Sequence, residues 1–148
     1  MEKFSRITVT PEETERVGYE VAELAREVGF IALYGDLGAG KTAFVRGVAK
    51  NLAPGAAVSS PTYSIVNEYS PTGSKKPTLF HFDMYRITDE DSLYSIDFDA
   101  YFERGALMVT EWSENICFAL PERYIKAEIE KLGENERKIT VSLVETNG

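Results

Sequence analysis

Hydrophobic and polar positions follow two periods along the chain, and the places where one gives way to the other mark its elements. Ile7-Thr8-Val9 predicts a short strand. Thr10-Pro11-Glu12-Glu13 then carries the parts of a helix start, with Thr10 as cap, Pro11 at the first helical position and Glu13 closing a capping box. Val17, Val21, Leu24 and Val28 follow at helical spacing, and Gly29 is placed to stop the helix. This helix is expected to pack on the sheet beside the next element, the unbroken apolar run Phe30-Ile31-Ala32-Leu33-Tyr34, which reads as a buried strand. Phe44, Val45, Val48, Ala49 and Leu52 make the stripe of an amphipathic helix, broken by Ala53-Pro54-Gly55. Two strand-like segments, Ser64 to Tyr69 and Thr78 to Asp83, flank the turn-rich stretch Ser70 to Pro77 and predict an antiparallel hairpin. A short helix is expected to start at Thr88 to Ser92, and another to cover Asp97 to Arg104 and end at Gly105. Ala106 to Thr110 is a further buried-strand candidate, followed by a helix over Ile116 to Leu120 that Pro121 ends. Alternation over Tyr124 to Lys131 and Lys138 to Val144, with a turn at Gly133 to Glu136, predicts a C-terminal hairpin. Strands interleaved with helices make this an α/β chain.

Composition narrows the picture in a few places. The 148 residues suit one domain with a real core, and 43% hydrophobic with 27% charged residues fits a globular chain. A net charge of −8 speaks against direct capture of nucleic acid, which needs clustered Lys and Arg. Cys117 is the only cysteine and His81 the only histidine, which excludes an intrachain disulfide, cysteine-based zinc and paired-histidine metal motifs. Residues 1–6 lack an apolar signal core and no run approaches membrane-spanning length, so a cytosolic location and no membrane contact are expected.

The chemistry centres on Gly35-Asp36-Leu37-Gly38-Ala39-Gly40-Lys41-Thr42, a G-x-x-x-x-G-K-[ST] phosphate loop between predicted strand and predicted helix. Its glycines allow consecutive N–H groups to turn toward phosphate oxygens, and the helix that begins in the loop adds its positive end. Lys41 is placed for the β- and γ-phosphates and the Thr42 hydroxyl for Mg²⁺. Thr62, on the loop after that helix, is a candidate to close over the γ-phosphate, and a strand-entry threonine making local hydrogen bonds reads equally well. Asp83 and Glu111 stand at the ends of apolar runs, where open α/β sheets bind ligands, and both are candidates for Mg²⁺ or the attacking water. A turn residue at Asp83 and a salt-bridged acid at Glu111 are the plain alternatives. Trp112 is a candidate to line the site, with Thr10 and Arg137 as outlying nucleotide contacts.

Four stretches stand in order: GDLGAGKT from Gly35 to Thr42, SPTY from Ser60 to Tyr63, HFDMYR from His81 to Arg86, and EWSE from Glu111 to Glu114. Together they resemble the TsaE family, formerly described as YjeE-type ATPases, over essentially the whole chain. The resemblance implies a single-domain P-loop NTPase-like three-layer α/β fold with a mixed central sheet, spanning residues 1–148. It also implies ATP and Mg²⁺ as ligands, held by Asp36, Leu37, Gly38, Ala39, Gly40, Lys41 and Thr42, with Thr62 as a switch-like threonine, Asp83 as the acid of HFDMYR, and Glu111 as the acid near Mg²⁺ followed by the family's tryptophan at Trp112. The activity implied is ATP hydrolysis in service of tRNA threonylcarbamoyladenosine modification, with TsaB and TsaD as partners and tRNA met only through them. Met84 stands where HFDLYR is more usual, and no arginine finger is assignable, so weak turnover alone and stimulation by partners are expected. A small kinase would need an arginine-bearing lid that is not visible, and a GTPase would need the absent N-K-x-D pattern. A non-catalytic nucleotide-dependent binding module is the alternative from another class.

Overall fold

Four parallel strands make the centre of the structure, and their C-terminal ends share one edge. The computed structural model describes residues 2–35, 39–59 and 65–145. Its strands are β1 (Glu2–Thr8), β2 (Phe30–Tyr34), β3 (Val66–Tyr69), β4 (Leu79–Asp83), β5 (Leu107–Glu111), β6 (Arg123–Lys131) and β7 (Arg137–Glu145). They form one mixed sheet in the order β1-β7-β6-β2-β5-β4-β3. β6, β2, β5 and β4 run parallel, while β3, β7 and β1 pair antiparallel with their neighbours.

Burial on both faces explains why β2, β4 and β5 read as apolar runs. On one face α1 (Pro11–Ala25) and α2 (Lys41–Leu52) cover Ile31, Leu33, Leu79, Val109 and Ile125. On the other, α3 (Glu90–Ser95), α4 (Phe98–Tyr101) and the 3₁₀ segments Phe102–Arg104 and Ser113–Ala119 accompany an aromatic cluster built on Phe30, Phe80, Phe82 and Phe98. Helices, sheet, helices is the three-layer α/β architecture expected. α1 packs on the sheet as predicted, and also crosses α2 very closely. A Cβ on Gly18 would stand 2.1 Å from Phe44 O, and one on Gly47 would stand 1.8 Å from Glu15 O.

The predicted Thr10 cap and Pro11 start hold, but Glu13 reaches back to the N–H of Val9 and not to that of Thr10, so the capping box is not closed. Thr10 Oγ1 accepts from Glu13 N at 3.1 Å, and Glu13 Oε1 accepts from Val9 N at 2.9 Å. The predicted hairpins also form, as β3 with β4 and β6 with β7. Boundaries differ by a few residues elsewhere, with α1 ending at Ala25 before Val28, β3 starting at Val66 and β5 running Leu107–Glu111, and three elements depart further. β1 begins at Glu2 and ends at Thr8, because as an edge strand it is held by backbone pairing to β7 and shows mostly exposed side chains without an apolar period. The helix expected over 97–104 is a short α-turn running into a 3₁₀ turn, entered through Asp97 at φ 56. The helix expected over 116–120 is 3₁₀, spans Ser113–Ala119 and is kinked at Ile116.

Candidate functional site

The parallel strands set the site. Leu33 of β2 lies opposite Glu111 of β5, and Glu111 opposite Asp83 of β4. Since side chains alternate along each strand, Asp83 shares the face of Leu79 and Glu111 that of Val109, the face covered by α2. Both carboxylates thus stand on the α2 face at the edge where β2 runs into Gly35. β6 is parallel to β2, so its turn into β7 brings Arg137 to the same edge, and Arg137 pairs directly with Thr8, two residues before Thr10. A single sheet edge therefore gathers candidates from five separate stretches of sequence.

The described part of the glycine loop has the backbone that the motif requires. Gly35 has φ +154, and a Cβ there would stand 2.9 Å from Ile129 O. Gly40 has φ +100 and caps α2 with no side-chain cap hydrogen bond among the described residues, and the first N–H groups of a helix lack intrahelical partners. Lys41 opens the helix and is buried at 6% exposure, and its Nζ has no hydrogen-bond partner among the described residues. The ammonium lies 4.4 Å from the centroid of the Trp112 ring, which is half-buried and itself tilted against Tyr85 at 5.1 Å. A cation–π contact offsets only part of the cost of drying an ammonium, so the arrangement is suited to an anion. Trp112 adopts φ 58, a left-handed conformation uncommon outside glycine, and the buried Ser113 Oγ anchors the next residue by donating to Thr110 O at 2.7 Å.

Arg137 reaches the loop backbone: its Nε donates to Ala39 O at 3.0 Å, while Nη1 donates to the carbonyls of Gly133, Glu134 and Glu136. In a trans peptide the carbonyl and the following N–H point in opposite directions. Holding the Ala39 carbonyl toward Arg137 therefore turns the Gly40 N–H away from it. Thr10 is exposed and its hydroxyl is engaged in capping α1. Asp83 is half-buried and its Oδ1 accepts from Tyr85 N at 2.9 Å, a turn contact that leaves the second oxygen available. Thr42 is half-buried on the first turn of α2. Asp36, Leu37, Gly38 and Thr62 lie outside the described residues.

Sequence reasoning allowed Glu111 as a salt-bridged acid but did not name its partner, His81. The acid is buried at 5% exposure and its Oε2 lies 2.5 Å from Nε2 of the fully buried His81. The only signal was a lone histidine on the inward face of a strand, between Leu79 and Asp83.

As to metal, no group of three or more His, Cys, Asp or Glu side chains suitable for an ion occurs among the described residues. Two strand-end carboxylates and a helix-start hydroxyl instead suit Mg²⁺, which keeps much of its coordination for water and phosphate oxygens.

The sequence model described as threonylcarbamoyl adenosine biosynthesis protein TsaE matches residues 8–139. The chain belongs to the TsaE family. Two similar relatives carry the name tRNA threonylcarbamoyladenosine biosynthesis protein TsaE. The one from Bacillus subtilis (strain 168) is 35% identical over 97% of this chain and 88% of its own length. The one from Aquifex aeolicus (strain VF5) is 38% identical over 91% and 92%. Among solved structures the chain is similar to the crystal structure of Bacillus subtilis YdiB, with a TM-score of 0.70 and 30% identity over 97% of this chain and 87% of that one. The TsaE family takes part in tRNA threonylcarbamoyladenosine biosynthesis, and the mixed α/β fold of this chain is the fold of its structural neighbour. No helix among the described residues is long and apolar enough to cross a membrane.

Proposed function

We propose that this chain binds MgATP in its glycine loop and hydrolyses it as an accessory step in tRNA threonylcarbamoyladenosine modification, acting with TsaB and TsaD. The observation that carries the reading is Lys41: an ammonium buried without a hydrogen-bond partner among the described residues, at the uncapped start of a helix, behind a glycine at positive φ. Family membership supplies the pathway.

Each residue then has a stated task. Lys41 neutralises charge on the β- and γ-phosphates, and the α2 N–H groups donate to their oxygens. Arg137 keeps the Gly40 N–H directed into the loop through the Ala39 carbonyl. Mg²⁺, when bound, supplies charge neutralisation across the phosphates, with Thr42 and one strand-end carboxylate toward it. Glu111, on the strand beside β2, and Asp83, one strand further out, hold the metal shell and the attacking water between them. Transfer of this kind depends on positioning and electrostatics, so a site lacking a second cation turns over slowly until a partner completes it.

The test is MgATP hydrolysis by the purified chain, alone and with TsaB plus TsaD, using wild type, Glu111→Gln and Asp83→Asn. Turnover that rises with the partners and falls about 10²-fold or more in at least one variant, with nucleotide still bound, is expected. ATP binding without hydrolysis under every condition would replace the reading by a nucleotide-dependent binding module. The charge of −8 further predicts that tRNA meets the partners and not this chain. Tight, salt-sensitive tRNA binding by the isolated protein would contradict that.

A further inference from the structure

The acid at the end of β5 does not stand alone. His81 is fully buried, and besides Glu111 it faces Tyr69, whose hydroxyl lies 3.2 Å from Nδ1. That hydroxyl is joined to Ser59 twice, 2.9 Å from its carbonyl oxygen and 3.3 Å from its N–H. Asn67 Nδ2 donates to the same Ser59 carbonyl at 3.0 Å and lies 3.4 Å from the Tyr69 hydroxyl. The register explains the line. Tyr69 of β3 is opposite Leu79, and His81, two residues on, is opposite Val109, two residues before Glu111. The contacts therefore run diagonally over three strands on the α2 face, in the reach expected of diagonal neighbours.

Packing alone does not account for this line. Leu79, Leu107 and Val109 surround it in an apolar cluster, where an apolar residue at 81 would fill the space without drying an imidazole and a carboxylate. Both ring nitrogens are nonetheless used, and their use fixes the carboxylate. An ionised carboxylate can only accept, so the Nε2 side of the ring is the one that can donate to Oε2. Glu111 Oε1 makes no hydrogen bond among the described residues, so one oxygen is anchored and the other left for the site.

We infer that His81 is a positioning residue for the Glu111 carboxylate, and that Tyr69 extends the brace to Ser59, three positions before Thr62 in sequence. The inference rests on the proposed role of Glu111 for its effect on turnover, and on geometry alone for the hydrogen bond itself. Ligand-side partners of this kind typically change activity about 10- to 100-fold when removed.

Two arms test it on the full chain. In the kinetic arm, His81→Leu is expected to lower kcat for MgATP about 10- to 100-fold with nucleotide affinity within about twofold of wild type. His81→Gln, which keeps a donor toward Glu111, is expected to recover most of that loss. Combined with Glu111→Gln, His81→Leu is expected to add nothing. Tyr69→Phe, a milder change that serves if His81→Leu does not fold, is expected to lower kcat in the same direction by less. Losses that appear equally in nucleotide affinity, or that add fully to those of Glu111→Gln, would show a purely structural role and overturn the inference. The spectroscopic arm needs no turnover. His81 is the chain's one histidine, so its imidazole gives a single set of nitrogen-coupled proton signals. A slowly exchanging, strongly deshielded Nε2 proton that moves on Glu111→Gln is expected. A proton that exchanges freely with water and ignores that substitution overturns the brace, even if the protein hydrolyses ATP. If the signal behaves as expected in a protein without turnover, the brace stands and the proposed hydrolysis falls.

Discussion

Lys41 is the residue at which burial and charge conflict most directly. Its ammonium is dry, rests on the Trp112 ring and has no hydrogen-bond acceptor among the described residues. Removing that charge while keeping the length of the side chain should relieve the nucleotide-free fold. Lys41→Met is therefore expected to unfold at a temperature equal to or above that of wild type without nucleotide, and to lose the stabilisation that ATP gives wild type. Thermal unfolding with and without ATP checks both halves, and a less stable nucleotide-free variant would contradict the first. Arg137 acts one step back, through the Ala39 carbonyl. Arg137→Met is expected to weaken nucleotide binding about tenfold, the value of one hydrogen bond from a charged donor, while leaving the kcat of bound enzyme nearly unchanged. Tyr34, at the end of β2, shows a different balance. Burial, reinforced by the neighbouring Tyr124 and Glu114, pushes its phenol up from 10.0 to about 12. The folded chain thus keeps a proton that the unfolded chain loses, so this contribution to stability is complete below pH 10 and is lost as pH rises from there toward about 12. Alkaline unfolding of wild type against Tyr34→Phe should show a steeper decline in wild type over that window.

Between elements, the crossing of α1 and α2 is a close backbone approach. Gly18 and Gly47 each lie where a Cβ would strike backbone of the opposite helix, and backbone cannot rotate aside as a side chain would. Gly47→Ala is expected to cost about 3 kcal/mol or more, read as a loss of thermal stability, and a neutral effect would contradict the crossing. At the far edge, Arg104 holds Glu68 of β3 through two hydrogen bonds of 2.8 and 3.0 Å, tying the 3₁₀ turn to the hairpin and keeping the Glu68 carboxyl below the usual range. Its stabilisation is present above the ordinary carboxylate range and fades as pH falls through the depressed value, and it is small for so exposed a pair. Elements with a strong period were legible in sequence: β2 was read to the residue, and so was the Thr10 cap of α1 with its Pro11. Elements held by something other than a period were not. β1 depends on pairing with β7, and the 113–119 segment depends on Trp112 in a left-handed turn and on Ser113 bonded back to Thr110, both set by tertiary contact. The glycines of the crossing gave no local sign either, since their meaning lies in a partner helix some thirty residues away.

Across the whole molecule, topology places the site. Parallel alignment of β6, β2, β5 and β4 sends four strand ends to one edge, so that Gly40, Lys41, Asp83, Glu111, Trp112 and Arg137 converge although they come from both halves of the chain. The motif residues were visible in sequence because the glycine-loop pattern is defined by residue types and spacing. The braces behind them, His81 with Tyr69 and Arg137 with the Ala39 carbonyl, became visible only once strands distant in sequence were laid side by side. The account depends first on this edge being a nucleotide site, and a calorimetric titration of MgATP into wild type and Lys41→Met tests that most directly. It predicts saturable binding at one site in wild type and affinity lower by about 30-fold or more in the variant, the cost of removing one partner from a buried charge pair. Equal affinity in the two proteins, or no binding by wild type, would contradict it.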